Sequence, residues 1–144
     1  MAITQLSAFL ENKPGTLAEA IAAITEAGIN LRALNVAETK DFGILRIIVS
    51  DTEKAKNVLG ANVIVKETPV VAVEMDDRSG ALEKILTILC GANVNIEYVY
   101  AFTGAVQGSA YVVLRVDELE DAEKILSENG IATLSDEDIK GFLA

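Results

Sequence analysis

The chain has 144 residues, of which 51% are hydrophobic, with 12 Lys+Arg against 22 Asp+Glu, one Cys, no His and no Trp. The absence of histidine excludes histidine-based nucleophilic and general-base catalysis and the commonest zinc sites. A formal net charge of -10 argues against nucleic acid and anionic membranes as partners, because both require Lys and Arg.

Targeting and cysteine usage point to a cytoplasmic protein. The segment Met1–Leu6 lacks the basic and apolar parts of a secretory signal. No stretch approaches the roughly 18 apolar residues that span a bilayer. Cys90 is alone and lies in an apolar run, so we expect a buried core thiol rather than a disulfide or a nucleophile. We expect no metal site and no cofactor.

An internal repeat relates the two halves of the chain. A shift of 65 residues places Asn12–Leu17 on Asp77–Leu82, Asn30 on Asn95 and Gly43 on Gly108. The shared positions are mostly glycines, asparagines and apolar residues, as expected of two copies of one backbone. The repeat predicts two units, residues 1–68 and residues 69–144.

The first half begins with a predicted strand and helix. Alternating apolar residues around Ala8 indicate a strand, and helical spacing of apolar residues follows the loop 12–15. Thr16-x-x-Glu19 matches a capping box at the helix start, and Gly28 is placed to end the helix in a left-handed conformation. Branched residues then predict a hairpin with strands 30–38 and 43–50. A short helix from Asp51 and a strand over 62–67 complete this half.

The second half repeats that order. The predicted elements are a strand over 70–75, a helix over 79–92, hairpin strands over 94–102 and 108–116, a helix over 119–129, a brief strand over 131–134 and a last helical turn capped by Ser135 and Asp138. The fold class is therefore α+β. It consists of two tandem ferredoxin-like βαββαβ units, each an antiparallel sheet with helices on one face.

The loop after each first strand leads into a helix N-terminus, whose unpaired N–H groups can bind a carboxylate. Gly15 and Gly80 let a ligand approach the backbone, and Asn12 or Asp77 offers a side-chain oxygen to an ammonium group. For one such loop, a simple turn before a helix is the commoner explanation. Its duplication, together with the paired asparagines 30 and 95, favours a binding site.

These residues resemble the ACT domain, the small regulatory amino-acid-binding module of biosynthetic enzymes such as phosphoglycerate dehydrogenase. The matching segments are Glu11–Leu17, Ala27–Leu31 and Gly43, and the resemblance covers both halves. It implies a stand-alone tandem ACT protein without a catalytic domain. In the family, effectors lie between the first loop of one unit and the edge of another.

The resemblance also implies a set of ligand-binding residues. These are Asn12, Pro14, Gly15, Thr16, Ile29 and Asn30 in the first half and Asp77, Gly80 and Asn95 in the second. The second half departs from the family loop at two places, because Ser79 replaces the proline and Asp77 replaces the asparagine.

Charge and apolar patterning add two expectations. Residues 1–68 hold 7 Lys+Arg and 8 Asp+Glu, whereas residues 69–144 hold 5 Lys+Arg and 14 Asp+Glu. The acidic runs of the second half are interpreted as solvent-exposed helix starts rather than as a metal cluster. The sheet face away from the helices is predicted to be apolar and covered by another sheet in a homodimer. That face comprises Phe9, Ile48, Val70, Ala72, Tyr111 and Val113, opposite the core-facing Leu45, Ile47, Val49, Ala110, Val112 and Leu114.

The function implied by the resemblance is that of an amino-acid sensor, not an enzyme. A free amino acid bound between ACT units would bias their packing and so signal to a separate metabolic enzyme. The alternative is an interaction subunit that has ACT architecture but binds no ligand. Other ferredoxin-like functions need an Arg-containing phosphate loop, paired cysteines, or aromatics on a basic sheet, and none of these is present.

Overall fold

The computed structural model describes residues 2–103 and 108–141, without the side chain of Thr103. The chain divides into two compact units, residues 4–68 (the N-terminal unit) and residues 69–141 together with residues 2–3 (the C-terminal unit). Each unit has its own hydrophobic core.

The N-terminal unit has the predicted order of elements. They are β1 (Ile3–Glu11), α1 (Thr16–Glu26), β2 (Leu31–Glu38), β3 (Phe42–Val49), α2 (Thr52–Gly60) and the first residues of β4 (Ile64–Asp76). β3 pairs antiparallel with both β1 and β2, so Ala8 lies opposite Leu45 and Val36 lies opposite the same residue on the other side. Paired residues point to one face of a sheet, which aligns the apolar positions of the three strands.

The core of the N-terminal unit lies between this aligned sheet face and the two helices. Ala20 and Ile24 of α1 and Ala55 and Leu59 of α2 supply the helix side. The predicted core-facing residues of β3, at positions 45, 47 and 49, belong to this core and are confirmed. Of the apolar residues at helical spacing in α1, Ile24 is buried and Ile21 packs against the core, whereas Leu17 is 39% exposed.

The start of α1 differs from the predicted capping box. Gly15 occupies the N-cap position with a φ of 89°, and no side chain caps the helix. Thr16 is already inside the helix, and its hydroxyl donates backwards to the carbonyl oxygens of Glu11 at 2.7 Å and Lys13 at 3.1 Å. The capping-box prediction is wrong because a left-handed glycine takes the place of the capping side chain. Gly28 ends the helix with a φ of 73°, as predicted.

The C-terminal unit repeats the architecture. Its elements are the remainder of β4, α3 (Ala81–Gly91), β5 (Ile96–Thr103), β6 (Ser109–Val116), α4 (Leu119–Glu128) and α5 (Asp136–Gly141). β6 pairs antiparallel with both β4 and β5. The predicted cap of the last helix is confirmed, because Ser135 N donates to Asp138 Oδ2 at 2.8 Å and Asp138 N donates to Ser135 Oγ at 3.2 Å.

The predicted last strand, 131–134, is reduced to a single bridge between Thr133 and Val73. Two flanking backbone hydrogen bonds support the bridge, from Glu74 N to Ala132 O at 3.3 Å and from Leu134 N to Ala72 O at 2.8 Å. The apolar residues at 131 and 134 predict that this segment packs as a strand, but they do not predict how many of its residues pair with β4.

The core of the C-terminal unit is built from β4, β6, α3 and α4. Val112 and Leu114 belong to it as predicted, whereas Ala110 is only half-buried and lies outside it. Cys90 is exposed, contrary to the expectation of a core thiol. The reason is the phase of α3, which turns Ile85 and Leu89 into the core and the next residue out of it.

The sheet face that is predicted to be apolar and covered by a second copy is mostly buried within the single chain. Ile48, Val70, Ala72, Tyr111 and Val113 each expose 2% or less, and only Phe9, at 39%, is substantially exposed. These five residues therefore form no open apolar patch. The pattern predicted their burial correctly, but burial inside the chain removes them as an argument for a homodimer.

Candidate functional site

The first loop of the N-terminal unit is tied to the turn between β2 and β3. Asn12 N donates to Asp41 O at 2.9 Å. The side-chain nitrogen of Asn12 donates to the carbonyl oxygens of Thr39 at 3.2 Å and Lys40 at 3.4 Å. These two bonds use the side-chain nitrogen, which leaves Asn12 Oδ1 as an acceptor for an external donor.

The remaining loop residues have distinct roles. Pro14 is exposed, and Gly15 holds the left-handed conformation that starts α1. A Cβ added at Gly15 would meet no atom within 4 Å, so the position needs glycine for its conformation rather than for space. The Thr16 hydroxyl is already engaged within the loop. The N–H groups at the start of α1 therefore have no side-chain cap.

Ile29 and Asn30 occupy the other end of the unit. The Ile29 side chain is packed in the core at 6% exposure, so the structure does not present it to a ligand. Asn30 N donates to Ser50 Oγ at 3.0 Å, and Ser50 N donates to Asn30 O at 3.0 Å. The side chain of Asn30 is exposed. This exchange of hydrogen bonds fixes the start of β2 against the end of β3.

The two asparagines of the N-terminal unit do not meet. Asn12 is bonded at Asp41, before β3, whereas Asn30 is bonded at Ser50, after it. At about 3.4 Å per residue, the extended segment between these two anchors spans about 30 Å. One unit therefore carries two separated halves of the predicted site.

The C-terminal unit places its predicted residues in the same way. Asp77 N donates to Gly108 O at 2.9 Å, and Gly80 starts α3 with a φ of 90°. Asn95 N donates to Asp117 Oδ1 at 2.9 Å, at the far end of β6. The Asp77 carboxylate is exposed and, unlike an asparagine amide, has no hydrogens with which to bind the neighbouring turn.

A cleft borders the first loop of the N-terminal unit, with a volume of about 470 Å³. It lies between the end of β1, the first turns of α1 and the start of β4, and its lining includes Phe9, Phe42 and Ile64. Lys13 Nζ and Glu11 Oε2 form an ion pair of 3.0 Å at its rim. The hydrogen bond and the charge of that carboxylate raise the pKa of Lys13.

The C-terminal unit has an equivalent cleft of about 310 Å³. The 65-residue shift places Glu74 at the position of Phe9, Arg78 at that of Lys13 and Lys84 at that of Glu19. Only the position of Phe9 changes from apolar in the first cleft to charged in the second. The other two positions are charged in both, with the sign of the charge reversed between Glu19 and Lys84. Neither cleft was predicted from the sequence, because the enclosure depends on how α1 or α3 meets a distant segment.

Two further classes of site receive no support from the described residues. Within residues 2–103 and 108–141, no group of three or more His, Cys, Asp or Glu side chains is placed to hold a metal ion. The same part of the chain contains no helix of the length and hydrophobicity needed to cross a membrane.

Comparisons with known proteins are consistent with this architecture. The family model described as "ACT domain pair" matches residues 1–143. The crystal structure of protein BT0572 from Bacteroides thetaiotaomicron has a TM-score of 0.90 and 41% identity, over 97% of this chain and 96% of that one. A search of curated proteins finds no match.

Two more distant structures share the fold. They are regulatory subunits of aspartate kinase, one from Thermus thermophilus in its ligand-free form and one from Thermus flavus. Their TM-scores are 0.63 and 0.61 at 15% and 14% identity, over 87% of this chain and 91% and 90% of theirs. At this identity the likeness concerns the fold alone.

Proposed function

The chain belongs to the ACT domain pair family, and from this membership we propose that it is a regulatory protein that binds a free amino acid between ACT units. In this proposal residues 1–68 form one ACT unit of the pair and residues 69–144 the other, although residues 2–3 group with the C-terminal compact unit. In this proposal the chain has no catalytic activity of its own and acts in the cytoplasm. Its output is a change in the packing of its units on binding.

The observation that carries the proposal is the separation of Asn12 from Asn30. Both side chains are exposed, yet they lie at opposite ends of one unit, about 30 Å apart along β3. A small ligand cannot touch both within that unit. A site that uses both needs a second unit whose strand start lies beside the first loop, which is the interfacial arrangement implied by the family.

The N-terminal loop is the better of the two candidate loops. Asn12 Oδ1 is available to an ammonium group, and the uncapped N–H groups at the start of α1 suit a carboxylate. A zwitterionic amino acid presents both groups. The counterpart Asp77 lies in a half of the chain with 5 Lys+Arg against 14 Asp+Glu, which disfavours a carboxylate.

Two structural relatives are named as regulatory subunits of aspartate kinase, which supports a partner enzyme on a separate chain. We extend this to a metabolic enzyme as the target and to a homodimer as the working assembly. A homodimer would supply the second unit that completes each site.

Isothermal titration calorimetry of the full chain against each proteinogenic amino acid tests the proposal. We expect one or a few of them to bind and to raise the temperature of unfolding. Asn12→Ala should weaken that binding, whereas Asn57→Ala, an exposed asparagine on α2, should leave it unchanged. Absence of heat and of any thermal shift with all of the amino acids would reject the proposal.

A second candidate function is an interaction subunit that binds no ligand. The observation in its favour is the second loop, where Asp77 and Ser79 replace the asparagine and proline of the first. This function predicts that a partner enzyme binds equally well with and without free amino acids. An affinity measurement in both conditions decides between the two, because a sensor must change that affinity when its ligand binds.

A further inference from the structure

Arg32 lies at an irregularity in β2. The pairing with β3 shifts between Leu31, opposite Val49, and Ala33, opposite Ile48. Arg32 is therefore the extra residue of a bulge, a feature that redirects a side chain. It follows Asn30, a predicted ligand-binding residue, by two positions.

The guanidinium of Arg32 is incompletely satisfied. Its Nε is buried and has no hydrogen-bond partner among the described residues. A buried donor without an acceptor destabilises the unliganded chain. Burial lowers the pKa of Arg32 from its usual value, but the group stays protonated at neutral pH. The bulge thus holds a positive charge with an unmet donor.

The C-terminal unit has a bulge at the same place, but there the charged bulge residue has an ion-pair partner. There the pairing with β6 shifts between Ile96, opposite Val116, and Tyr98, opposite Arg115, so Glu97 is the extra residue. Glu97 Oε2 lies 3.7 Å from Arg115 Nε, and Arg115 Nη1 donates to Pro69 O at 3.1 Å. The charge at this bulge has its partner on the next strand of its own unit.

The N-terminal unit lacks that neighbouring partner. By register, the position equivalent to Arg115 is Ile48, a buried apolar residue. The other arginine of the unit, Arg46, donates to Asn35 Oδ1 at 3.2 Å. The comparison indicates that the acceptor for Arg32 comes from outside the unit.

A carboxylate is the acceptor that fits best. A guanidinium binds a carboxylate through two parallel N–H···O hydrogen bonds, and one positive charge balances one negative charge. Since Nε is covered in the unliganded chain, the side chain must turn outward to use it, and the unmet donor favours that movement.

We propose that Arg32 binds a carboxylate group of the amino-acid effector, in the half of the interfacial site that also contains Asn30. This inference rests on the proposed function. It adds a residue that no family motif supplies, and it states which part of the ligand this end of the unit recognises. The carboxylate is either the α-carboxylate or the side-chain carboxylate of an acidic amino acid.

Calorimetry on Arg32→Met tests the assignment with each proteinogenic amino acid that binds the wild-type chain. We expect affinity to fall about tenfold or more, as for loss of a hydrogen bond to a charged group. Arg32→Lys keeps the positive charge but cannot form two parallel hydrogen bonds, so its affinity should lie between those of wild type and Arg32→Met. The matched control is Lys66→Met, which removes an exposed positive charge of the same unit.

Ligand analogues identify the carboxylate. The α-carboxamide of the bound amino acid, and asparagine or glutamine in place of aspartate or glutamate, each lack one carboxylate. With the analogue that lacks the group bound by Arg32, wild type and Arg32→Met should have equal affinity. Nitrogen-15 NMR provides an independent readout, because the Arg32 Nε–H resonance, identified by its loss in Arg32→Lys, should shift on titration.

The outcomes separate the two proposals. If no amino acid binds the wild type, the proposed function and this inference both fail. If an amino acid binds but Arg32→Met and Lys66→Met behave alike, only the role of Arg32 is overturned. If Arg32→Met instead changes the monomer–dimer equilibrium without ligand and leaves ligand affinity unchanged, the carboxylate belongs to a second copy and the assignment to the effector is overturned.

Thermal unfolding of unliganded Arg32→Met confirms that the variant folds. Its unfolding temperature is expected to equal or exceed that of wild type.

Discussion

The N-terminal and C-terminal units share backbone features and differ in the chemistry that those features present. Gly15 and Gly80 start their helices with φ values of 89° and 90°. Asn30 N and Asn95 N each donate to a side chain at the end of the neighbouring strand. Both units also place a charged residue at the same bulge.

The side chains around these features have diverged. The first loop carries an amide in one unit and a carboxylate in the other, and the cleft beside it is lined by Phe9 in one and Glu74 in the other. The bulge charge is Arg32, with an unmet donor, or Glu97, with its ion pair. Duplication has thus kept the positions that the fold requires, whereas ligand preference can differ between the copies.

The largest expected effect tests the equivalence of the two cores. Ile24 and Leu89 are 65 residues apart and expose 1% and 0% of their surfaces. Changing either to alanine should destabilise the chain by about 2–5 kcal/mol, because it removes buried contacts and leaves a cavity. Hydrogen exchange by mass spectrometry should detect the greater loss of protection in the unit that carries the change. Leu17→Ala, at a residue 39% exposed, is the control and should cost less; an equal cost would contradict the assigned core.

A smaller effect is expected at the paired helix starts. A left-handed conformation costs a residue with a Cβ about 1–2 kcal/mol, so Gly15→Ala and Gly80→Ala should lower stability by similar amounts. Neither added Cβ would meet an atom within 4 Å, which makes the cost conformational. Urea unfolding measures it, with Gly60→Ala, at an α2 position without a positive φ, as the control that should be neutral or stabilising. A clear difference between the two loop variants would break the proposed equivalence of the units.

The order of elements could be predicted from the sequence because the signals are local. Period-two and helical spacing identify strands and helices within a few residues, and Gly28 marks a helix end by its own conformational freedom. The capping prediction at Thr16 failed because one short pattern fits either the cap position or the first helical residue. Only the conformation of Gly15 decides between them.

The site was less predictable because its parts depend on distant contacts. The asparagines 12 and 30 were recognised by family motif, but their separation follows from strand direction and register. Ile29 was included in the motif although its side chain packs in the core. Arg32 was missed because a bulge has no reliable sequence signal, and its unmet donor becomes visible only beside the ion pair of Glu97.

The smallest expected effect concerns the ion pairs at the rims of the two clefts, Lys13 with Glu11 and Arg78 with Asp76. The folded-state pKa of Lys13 is raised above 10.5 by Glu11, so its contribution to stability is full below that pH and is lost as the pH rises through the raised pKa. Arg78 stays charged over the same range, so its contribution should persist. Unfolding of Lys13→Gln and Arg78→Gln, compared with wild type from neutral to strongly alkaline pH, measures both differences. Both stability differences should be small at high salt, because exposed ion pairs are screened.

NMR titration should also find a lower Lys13 pKa in Glu11→Gln than in wild type. An unchanged pKa would show that this ion pair does not persist in solution.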